Sequence, residues 1–563
     1  MCKRRFYRME IEVYDFTLRF IRPALESTSS YLPPPLLLIR TTSRKMPPRT
    51  RSQIAGNAGS RTGKGNSLSG EEEGVSEEGM GYLPFITPFY VLMAVVVVIG
   101  SFLAFKILHG PFKPVLWKEP PELVSLLVNH DLAGAEHLFL NRVVGPESIA
   151  VGSEKEMYFS LNDGRIVRTD SKYGNMTTVF FTGGVVKAEK AGQKDGNARE
   201  RRLPNGGQER SLMAWCSAEM DAMRFSTSTE SLCGRPLGLR FVRELNQLYI
   251  ADAYHGIFTL DPVTLHVRHL VAPSASTPPP SSSSSPALHP GVRAPLGFTN
   301  DLSVVASTGD IFFSDSTWAW SRALHAVEVL DGGPRGRLFR YVGATGAVEP
   351  VLCGLHFANG VQVLGEEEET RAGRLPASVL VVESTRFRIL KVDLGAWARA
   401  EEDVKARALQ ACEEESALPP FASVLVEGLP GLPDNLRLLR REEAGACSKE
   451  GWLGGEGEEA VLMLGMGVKN AKPFSLLHFL YQHLALRLLL GALIPLPYFH
   501  YFMPKYGVAG VLSLEGRLLR VLQDPTGRTP FLSEVHVHPE TGDLLLGSFR
   551  NKFVGRVTVS ALG

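Results

Sequence analysis

Oxygen-bearing side chains recur at one position of a repeated motif in this 563-residue sequence, and they are the residues best suited to chemistry. The position holds Glu147, Asn300, Asn359 and the adjacent pair Asp434 and Asn435. Carboxylate and amide oxygens together suit a hard divalent cation such as Ca²⁺, which takes 6 to 8 oxygen ligands at flexible geometry. The sequence therefore predicts a Ca²⁺ site with these five ligands. Singly, each Asp or Asn is more typical of a turn or a strand start, and Zn²⁺ is disfavoured because no His or Cys cluster has ligand spacing.

The motif that carries these residues occurs in six copies between residues 140 and 560. Each copy has an aliphatic stretch and then, about eight positions later, a hydrophobic strand that ends in a small residue. The copies begin at Pro146, Pro236, Asn300, Asn359, Asp434 and Ser533. Short strands at even spacing predict an all-β, six-bladed β-propeller over residues 110–563. Two packed β-sandwiches are the alternative, although they do not require a repeat of fixed phase.

Two further titratable residues lie in the sixth copy, which reads SEVHVH from Ser533. Glu534 and His536 are the candidates for a general base. The strand alternation would turn Glu534 to the face opposite Ser533. His536 is equally well explained as a strand residue with a satisfied hydrogen bond.

The stretch from Leu83 to Phe105 contains 23 residues and no charge. That length meets the roughly 20 residues needed to cross a hydrocarbon core, so we expect a transmembrane anchor over residues 83–105. A signal peptide and a buried core helix are the competing interpretations.

The charge of the chain is unevenly distributed although 60 Lys and Arg nearly balance 59 Asp and Glu. Residues 1–64 hold 13 basic and 4 acidic residues, and residues 1–80 are predicted to be a disordered basic tail. The body is slightly acidic and has no basic stripe interleaved with aromatics, so no nucleic-acid partner is expected.

The segment 473–504 is strongly apolar but is interrupted by Pro495 and Pro497 and carries His478, His483 and Arg487. It is a poor membrane span. We expect a helical insertion that covers one face of the propeller, and the sequence leaves open whether it contacts lipid or only packs on the blades.

The ordered motifs of the repeats resemble the strictosidine synthase-like family. In chain order they read GPESIA, CGRPLG, LYIADAYHGIF, NDLSV, IFFSDST, GRLFRY, FANGVQV, LVVES, PGLPDN, SEVHVH and LLLGSF, over roughly residues 140–560. The resemblance implies a single-pass membrane protein with residues 1–82 in the cytosol. Its propeller would lie in the lumen of the endoplasmic reticulum or outside the cell.

The resemblance also pairs Cys216 with Cys233, and a disulfide there requires an oxidising compartment. The other four cysteines, Cys2, Cys353, Cys412 and Cys447, suggest no pattern. Asn175, in the sequon NMT, would carry a glycan if the body lies outside the cytosol; an unmodified site is the alternative.

The family is similar to a wider superfamily of paraoxonases and gluconolactonase-type enzymes, which hold a catalytic Ca²⁺ in the channel. The resemblance implies that the Ca²⁺ ligands are the five residues named above. Two positions depart from the pattern. Leu237 stands where paraoxonases have a His in a P-H-G turn, and Ser533 stands where strictosidine synthase has a catalytic Glu.

The sequence therefore predicts a membrane-anchored, Ca²⁺-dependent hydrolase of aryl esters or lactones. The cation would polarise the ester carbonyl and stabilise the developing oxyanion. The alternative is a non-catalytic propeller that binds a protein or lipid partner. A third hypothesis is a Pictet–Spengler condensation of the strictosidine synthase type. The fold would suit this reaction, but its acid/base residue is absent from this sequence.

Overall fold

A computed structural model describes residues 83–117, 122–183, 212–221, 227–273, 294–365, 375–410, 412, 417–443 and 459–558. The predicted disordered tail, residues 1–80, lies outside the described residues. The stretch STPPPSSSSSP from Ser276, whose composition is typical of a linker, also lies outside them.

The described residues form six four-stranded antiparallel sheets, which confirms the predicted six-bladed propeller. The strands are β1 (Glu136–Leu138), β2 (Ile149–Val151), β3 (Met157–Ser160), β4 (Arg165–Thr169), β5 (Thr177–Phe181), β6 (Pro236–Val242), β7 (Gln247–Asp252), β8 (Gly256–Leu260), β9 (Val267–Val271), β10 (Thr299–Val305), β11 (Asp310–Asp315), β12 (Gly336–Tyr341), β13 (Val348–Leu355), β14 (Ala358–Leu364), β15 (Ser378–Glu383), β16 (Arg388–Asp393), β17 (Ala422–Val426), β18 (Gly431–Arg440), β19 (Ala460–Lys469), β20 (Gly507–Leu512), β21 (Leu518–Asp524), β22 (Leu532–Val537), β23 (Leu544–Ser548) and β24 (Val554–Val557).

Blades 1 to 5 each use four consecutive strands, from β2–β5 to β18–β21. Blade 6 joins β22, β23 and β24 to the N-terminal strand β1, with His137 opposite Gly555 in the register. The first strands of the blades contact one another in order round the ring, and β2 meets β22. The pairing of β1 with β24 therefore closes the propeller.

The middle strands of the blades are apolar on both faces because each blade packs between two others. Strand β15 reads SVLVVE, and all of its residues are buried. In a sheet covered on both sides, continuous Val and Leu replace the alternating pattern of a half-exposed strand.

The helices lie in the connections and in the N-terminal segment. They are α1 (Leu83–His109), α2 (Leu212–Asp221), α3 (Thr227–Cys233), α4 (His325–Asp331), α5 (Leu394–Arg399), α6 (Glu402–Gln410), α7 (Leu476–Gln482) and α8 (Leu484–Leu493), with 3₁₀ turns at Arg243–Leu245, Arg322–Leu324, Ser384–Arg386, Arg441–Glu443 and Leu496–Phe502.

Helix α1 contains the predicted anchor and extends beyond it to His109. Its segment Tyr90–His109 is long and apolar enough to cross a membrane, and none of its most apolar stretch is buried in the protein. A buried core helix is therefore excluded. That α1 spans a membrane is a proposal.

Connections that follow the second or fourth strand of a blade all lie at the end of the channel where the first strands begin, because neighbouring strands run antiparallel. Helices α2 to α4 and the insertion 473–504 belong to this end. Helices α5 and α6 follow the third strand β16 and belong to the opposite end.

The charged run 400–415, which the sequence suggests is a solvated excursion, contains α6. This helix forms because Ala406, Ala408 and Leu409 are buried. Beyond its end, Cys412 forms a disulfide with Cys353, a pair that the sequence did not suggest.

Candidate metal centre

The five predicted ligands lie near the start of the first strands, at one end of the channel. Glu147 precedes β2, while Asn300 and Asn359 are the second residues of β10 and β14. Asp434 and Asn435 lie within β18. All five side chains are buried. The structure therefore places residues from blades 1, 3, 4 and 5 at one level of the channel.

Irregular strand pairing accompanies the site. The register of the first and second strands shifts between Pro236 and Leu239, Thr299 and Leu302, Ala358 and Val361, Pro433 and Leu436, and Leu532 and Glu534. Such irregularities interrupt the ladder and re-aim side chains. They explain why strict strand alternation does not describe these positions.

Two serines fix the orientation of the amides. Asn300 Nδ2 donates to Ser316 Oγ at 2.9 Å, and Ser316 Oγ donates to the Ala358 carbonyl at 2.6 Å. The next blade repeats the relay, because Asn359 Nδ2 donates to Ser384 Oγ at 3.1 Å and Ser384 Oγ donates to the Pro433 carbonyl at 2.6 Å. Each serine thus holds the amide nitrogen and leaves the amide oxygen available.

The amide oxygens are buried and have no hydrogen-bond partner within the described residues. This holds for Oδ1 of Asn300, Asn359 and Asn435. Asn435 Nδ2 is used elsewhere, since it donates to Glu534 Oε2 at 3.3 Å. Buried polar atoms in folded proteins almost always have a partner, so three orphaned oxygens in one channel call for a ligand.

Two buried arginines border Glu147. Arg235 Nη2 lies 2.6 Å from Glu147 Oε2, and Arg322 Nη2 lies 3.8 Å from the same oxygen. Arg322 also pairs with Glu230 at 3.2 Å. Burial and the neighbouring Arg322 lower the pKa of Arg235 to about 10, which still leaves it protonated at neutral pH.

The carboxylates outnumber these cations. Burial, and then the charge of Glu147, raise the pKa of Asp434 well above its usual value. Asp252 accepts from the Arg235 backbone N–H at 2.8 Å. A bound cation would oppose the rise in the pKa of Asp434 and favour its ionised form. The four carboxylates Glu147, Glu230, Asp252 and Asp434 would then face two arginines, which is an excess of two negative charges. One divalent cation would balance it.

The donor set therefore fits Ca²⁺. Glu147, Asp434 and the three amide oxygens would supply hard oxygen ligands from five residues, and a second oxygen of Asp434, water or substrate would complete the 6 to 8 that Ca²⁺ takes. No group of three or more His, Cys, Asp or Glu side chains in the described part of the chain is arranged to hold a metal ion, so the amide oxygens are essential to the set. The contact of Arg235 with Glu147 leaves one carboxylate oxygen of Glu147 for a ligand.

A second layer of charges lies next to the ligands. Arg437 pairs with Asp301 at 2.8 Å and with Glu534, and Arg240 Nη2 lies 3.3 Å from Asp301. Ser148 Oγ donates to Glu534 Oε2 at 2.7 Å. Two guanidinium groups and two carboxylates balance one another, so this layer has no charge deficit of its own.

The predicted bases do not join the ligand layer. Glu534 faces the channel, contrary to the alternation argument, because the register shift re-aims it. Burial raises its pKa, while Arg437 opposes the rise. His536 lies three residues beyond Ser533 on β22, roughly 10 Å along the strand. Burial lowers the pKa of His536 to about 4, and its Nδ1 lies 3.0 Å from the Val537 carbonyl.

The two departures from the family pattern are both buried. Leu237 packs in the apolar core and its carbonyl accepts from Ser160 Oγ at 3.0 Å. Ser533 Oγ donates to the Glu147 carbonyl at 2.7 Å. Neither residue supplies an acid or a base.

Sequence reasoning missed the residues that surround the ligands. Arg235 lies inside the motif CGRPLG, and Ser316 and Ser384 directly follow the second strands of their blades, inside IFFSDST and LVVES. The motifs therefore contained these three residues. Arg322 and Glu230 lie in helical connections outside the repeat, and no sequence periodicity marks them.

Cys216 and Cys233 form a disulfide with a Cα–Cα distance of 5.8 Å, as the resemblance implies. Cys233 directly precedes Gly234 and Arg235, and Gly234 has φ of 81°. A Cβ there would lie 2.0 Å from Thr182 Oγ1, so glycine is required at this turn. The disulfide thus braces the segment that carries Arg235.

A cavity of about 540 Å³ lies away from this centre. Cys353, His356, Glu383, Arg388 and Arg407 contribute to its wall, and none of the five predicted ligands does. The orphaned amide oxygens lie in the channel and not in the wall of this cavity.

Comparisons with known proteins agree with the motifs. Residues 126–169 match the family "Strictosidine synthase-like, N-terminal" and residues 300–392 match "Strictosidine synthase". Adipocyte plasma membrane-associated protein from Gallus gallus is 30% identical over 450 residues, covering 79% of this chain and 83% of that protein. The Homo sapiens protein of that name is 29% identical over 479 residues, covering 84% and 90%.

More distant likenesses exist. Protein STRICTOSIDINE SYNTHASE-LIKE 13 from Arabidopsis thaliana is 29% identical over 330 residues, covering 58% of this chain and 63% of that protein. A solved structure of regucalcin from Agrobacterium tumefaciens is 9% identical with a TM-score of 0.36, covering 78% of this chain and 95% of that one. This structural likeness is too weak to carry any inference about ligands.

Proposed function

Because this chain belongs to the strictosidine synthase-like family that includes adipocyte plasma membrane-associated protein, we propose that it is a Ca²⁺-dependent hydrolase of aryl esters or lactones, anchored in a membrane by α1. The observation that carries the proposal is the set of three orphaned amide oxygens beside Glu147 and Asp434.

The proposed ligands are Glu147, Asn300, Asn359, Asp434 and Asn435. A bound Ca²⁺ would polarise the ester carbonyl and stabilise negative charge on its oxygen. Ser316 and Ser384 hold two of the amides in place, and Arg235 holds Glu147. The paired charges of the second layer fill the channel next to the ligands.

His325 is a better candidate for the proton acceptor than His536 or Glu534. It begins α4, at the channel end that carries the ligands, and its Nδ1 lies 3.2 Å from the Arg322 carbonyl. The carbonyl can only accept, so Nδ1 donates the hydrogen bond. The ring contacts Phe549, whose carbonyl accepts from Arg235 Nη2 at 3.2 Å.

The location outside the cytosol is part of the proposal. Two disulfides, Cys216–Cys233 and Cys353–Cys412, suit an oxidising compartment. Asn175 is exposed on the connection between β4 and β5, where a glycan can be attached. The endoplasmic reticulum lumen and the cell exterior both satisfy these requirements, with the N-terminus in the cytosol.

One experiment separates this hydrolase from a binding module. Full-length protein in detergent micelles is titrated with Ca²⁺ by calorimetry, and phenyl acetate hydrolysis is followed with and without chelator. We expect Asp434→Asn and Glu147→Gln to weaken both Ca²⁺ binding and hydrolysis. Asp261→Asn and Glu349→Gln, which remove carboxylates outside the channel, are the controls.

Hydrolysis that survives both the chelator and the two ligand substitutions would refute the proposed mechanism. Bound Ca²⁺ without any turnover would favour the second candidate, a non-catalytic propeller that binds a protein or lipid partner. The deep burial of all five ligands is the observation that favours this second candidate. A Pictet–Spengler condensation is the least favoured activity, because Ser533 replaces the catalytic Glu and Arg437 engages Glu534.

A further inference from the structure

The insertion 473–504, here called the cap, presents large apolar side chains to solvent. Phe474 is 62% exposed and Phe502 is 61% exposed. Other exposed apolar side chains of the cap are Leu476, Phe479, Leu493 and Tyr501. A concentration of apolar surface on one short segment indicates a binding surface, whereas single exposed apolar residues are ordinary.

The cap packs against the end of α1. Lys106 Nζ donates to the Ala492 carbonyl at 3.1 Å. Phe112, just beyond the helix, stacks on Phe499 with a centroid distance of 6.3 Å. Gly491 permits this approach, because a Cβ there would lie 2.3 Å from the Phe112 ring. The chain therefore leaves the apolar helix directly beside the cap.

The cap and the candidate metal centre share one end of the channel. The cap follows β19, which runs antiparallel to β18 and ends where β18 begins, at the level of Gly431 and Lys469. Asp434 lies three residues into β18. Helix α7 also contacts α4, which directly follows the turn Arg322–Leu324. Arg322 in that turn borders Glu147.

We propose that the exposed apolar face of the cap lies in the interfacial region of the bilayer that α1 spans, so that the end of the channel with the candidate metal centre faces the membrane. The inference rests on the proposed membrane anchoring. The occupant is a lipid surface because the apolar face is continuous with the end of the anchor, and Phe, Tyr and Leu are typical of interfacial segments. Substrates that partition into the membrane would then be the class that reaches the site.

Lipid photolabelling tests this placement on the full chain. The protein is reconstituted into phosphatidylcholine vesicles that contain a phosphatidylcholine with a diazirine in its acyl chain, irradiated, digested and analysed by mass spectrometry. We expect label in peptides from α1 and from the cap. Phe474→Ser combined with Phe502→Ser should lower cap labelling at least fivefold relative to α1.

Exposed apolar residues outside the cap provide the matched control. Val263 is 78% exposed and Leu265 is 46% exposed, and both lie on the connection between β8 and β9, at the opposite end of the channel. Their peptide should remain unlabelled, and Val263→Ser combined with Leu265→Ser should leave cap labelling unchanged.

Three results would overturn the inference. Label on α1 without label on the cap would show that the anchor is inserted while the cap stays in water. Cap-to-cap cross-links without lipid label would assign the surface to a second copy of the chain. Absence of label from both α1 and the cap would overturn the membrane anchoring itself, and with it the placement of the cap in the bilayer interface.

Discussion

At the residue scale, the orientation of two amides decides whether the channel can hold a cation. Asn300 and Asn359 each donate through Nδ2 to a serine that directly follows the second strand of the same blade. Their oxygens are then left for a ligand, because an amide that uses its NH₂ group on one side presents its oxygen on the other. The serines would therefore position the proposed ligands without being ligands themselves.

Ser384→Ala should therefore weaken Ca²⁺ binding by about 10- to 100-fold, as is typical when an outer partner of a metal ligand is removed. Calorimetric titration of the full chain measures the change. Ser303→Ala is the control, because Ser303, on the first strand β10, is buried like Ser384 but accepts from the Val363 N–H. An equal loss of affinity in the two variants would contradict a positioning role for Ser384.

A second residue-scale prediction concerns the base. His325→Gln should lower kcat/KM for phenyl acetate by about 10² to 10⁴, the usual contribution of a general base, and should leave Ca²⁺ affinity unchanged. His536→Gln should leave both quantities within twofold of the original protein, because His536 lies farther along the channel. Comparable losses of activity in both variants would exclude His325 as the specific proton acceptor.

At the element scale, the connection between β4 and β5 shows how a hairpin can present a modification site. Asn175 adopts φ of 48° in this turn and is exposed. Asp170 organises the turn by accepting from the Gly174 N–H at 2.8 Å and from Asn175 Nδ2 at 3.3 Å. The side chain that would carry a glycan thus lies exposed on a turn, hydrogen-bonded to Asp170.

When the full chain is expressed in animal cells, Asn175→Gln should abolish the mobility shift that a peptide N-glycosidase produces, because NMT is the sequon concerned. Thr177→Ala should do the same, whereas Thr177→Ser keeps the sequon and should keep the shift. If the original protein showed no glycosidase-sensitive shift, the proposed exposure of the propeller to the secretory lumen would lose its support.

At the scale of the whole molecule, the propeller separates its two ends. The cap, α4 and the disulfide-braced segment before Arg235 gather at the end with the candidate metal centre, and α6 lies at the other. Within the first group, Glu328 is a fully buried carboxyl on α4. Burial, and then the nearby Asp331, raise the pKa of Glu328 to about 8, and Arg335 only partly opposes the rise.

This shift predicts a fall in stability as pH rises. A carboxyl that titrates near 4.5 when unfolded and near 8 when folded binds more protons in the folded state between those values. The free energy of unfolding should therefore decrease by about 2 kcal/mol between pH 6.5 and pH 8 through this group. Below pH 6.5, His356 acts in the opposite direction, because burial lowers its pKa to about 3.

Glu328→Gln should remove this decrease, which denaturant unfolding at pH 6.5 and pH 8 can measure. Glu349→Gln, which changes a carboxylate of the partly exposed pair with Arg340, is the control and should retain it. An unchanged pH dependence in Glu328→Gln would show that another group sets the stability in this range.

The sequence by itself determined the blades. Six copies of the same strand pair, each apolar on both faces, can bury that surface only by packing side by side, so the propeller follows from the repeat. The same phase also selected Glu147, Asn300, Asn359, Asp434 and Asn435, because residues at one phase of the repeat converge on the channel.

The tertiary structure decided what those positions can do. The pairing of Arg235 and Arg322 with Glu147 joins a segment before blade 2 and a turn after β11 to blade 1, and no local pattern specifies such contacts. The register shift that turns Glu534 towards Arg437 breaks the alternation on which the sequence argument relied. Periodicity reports which face of an element is buried, whereas charge pairing depends on side chains brought together by the closure of the ring.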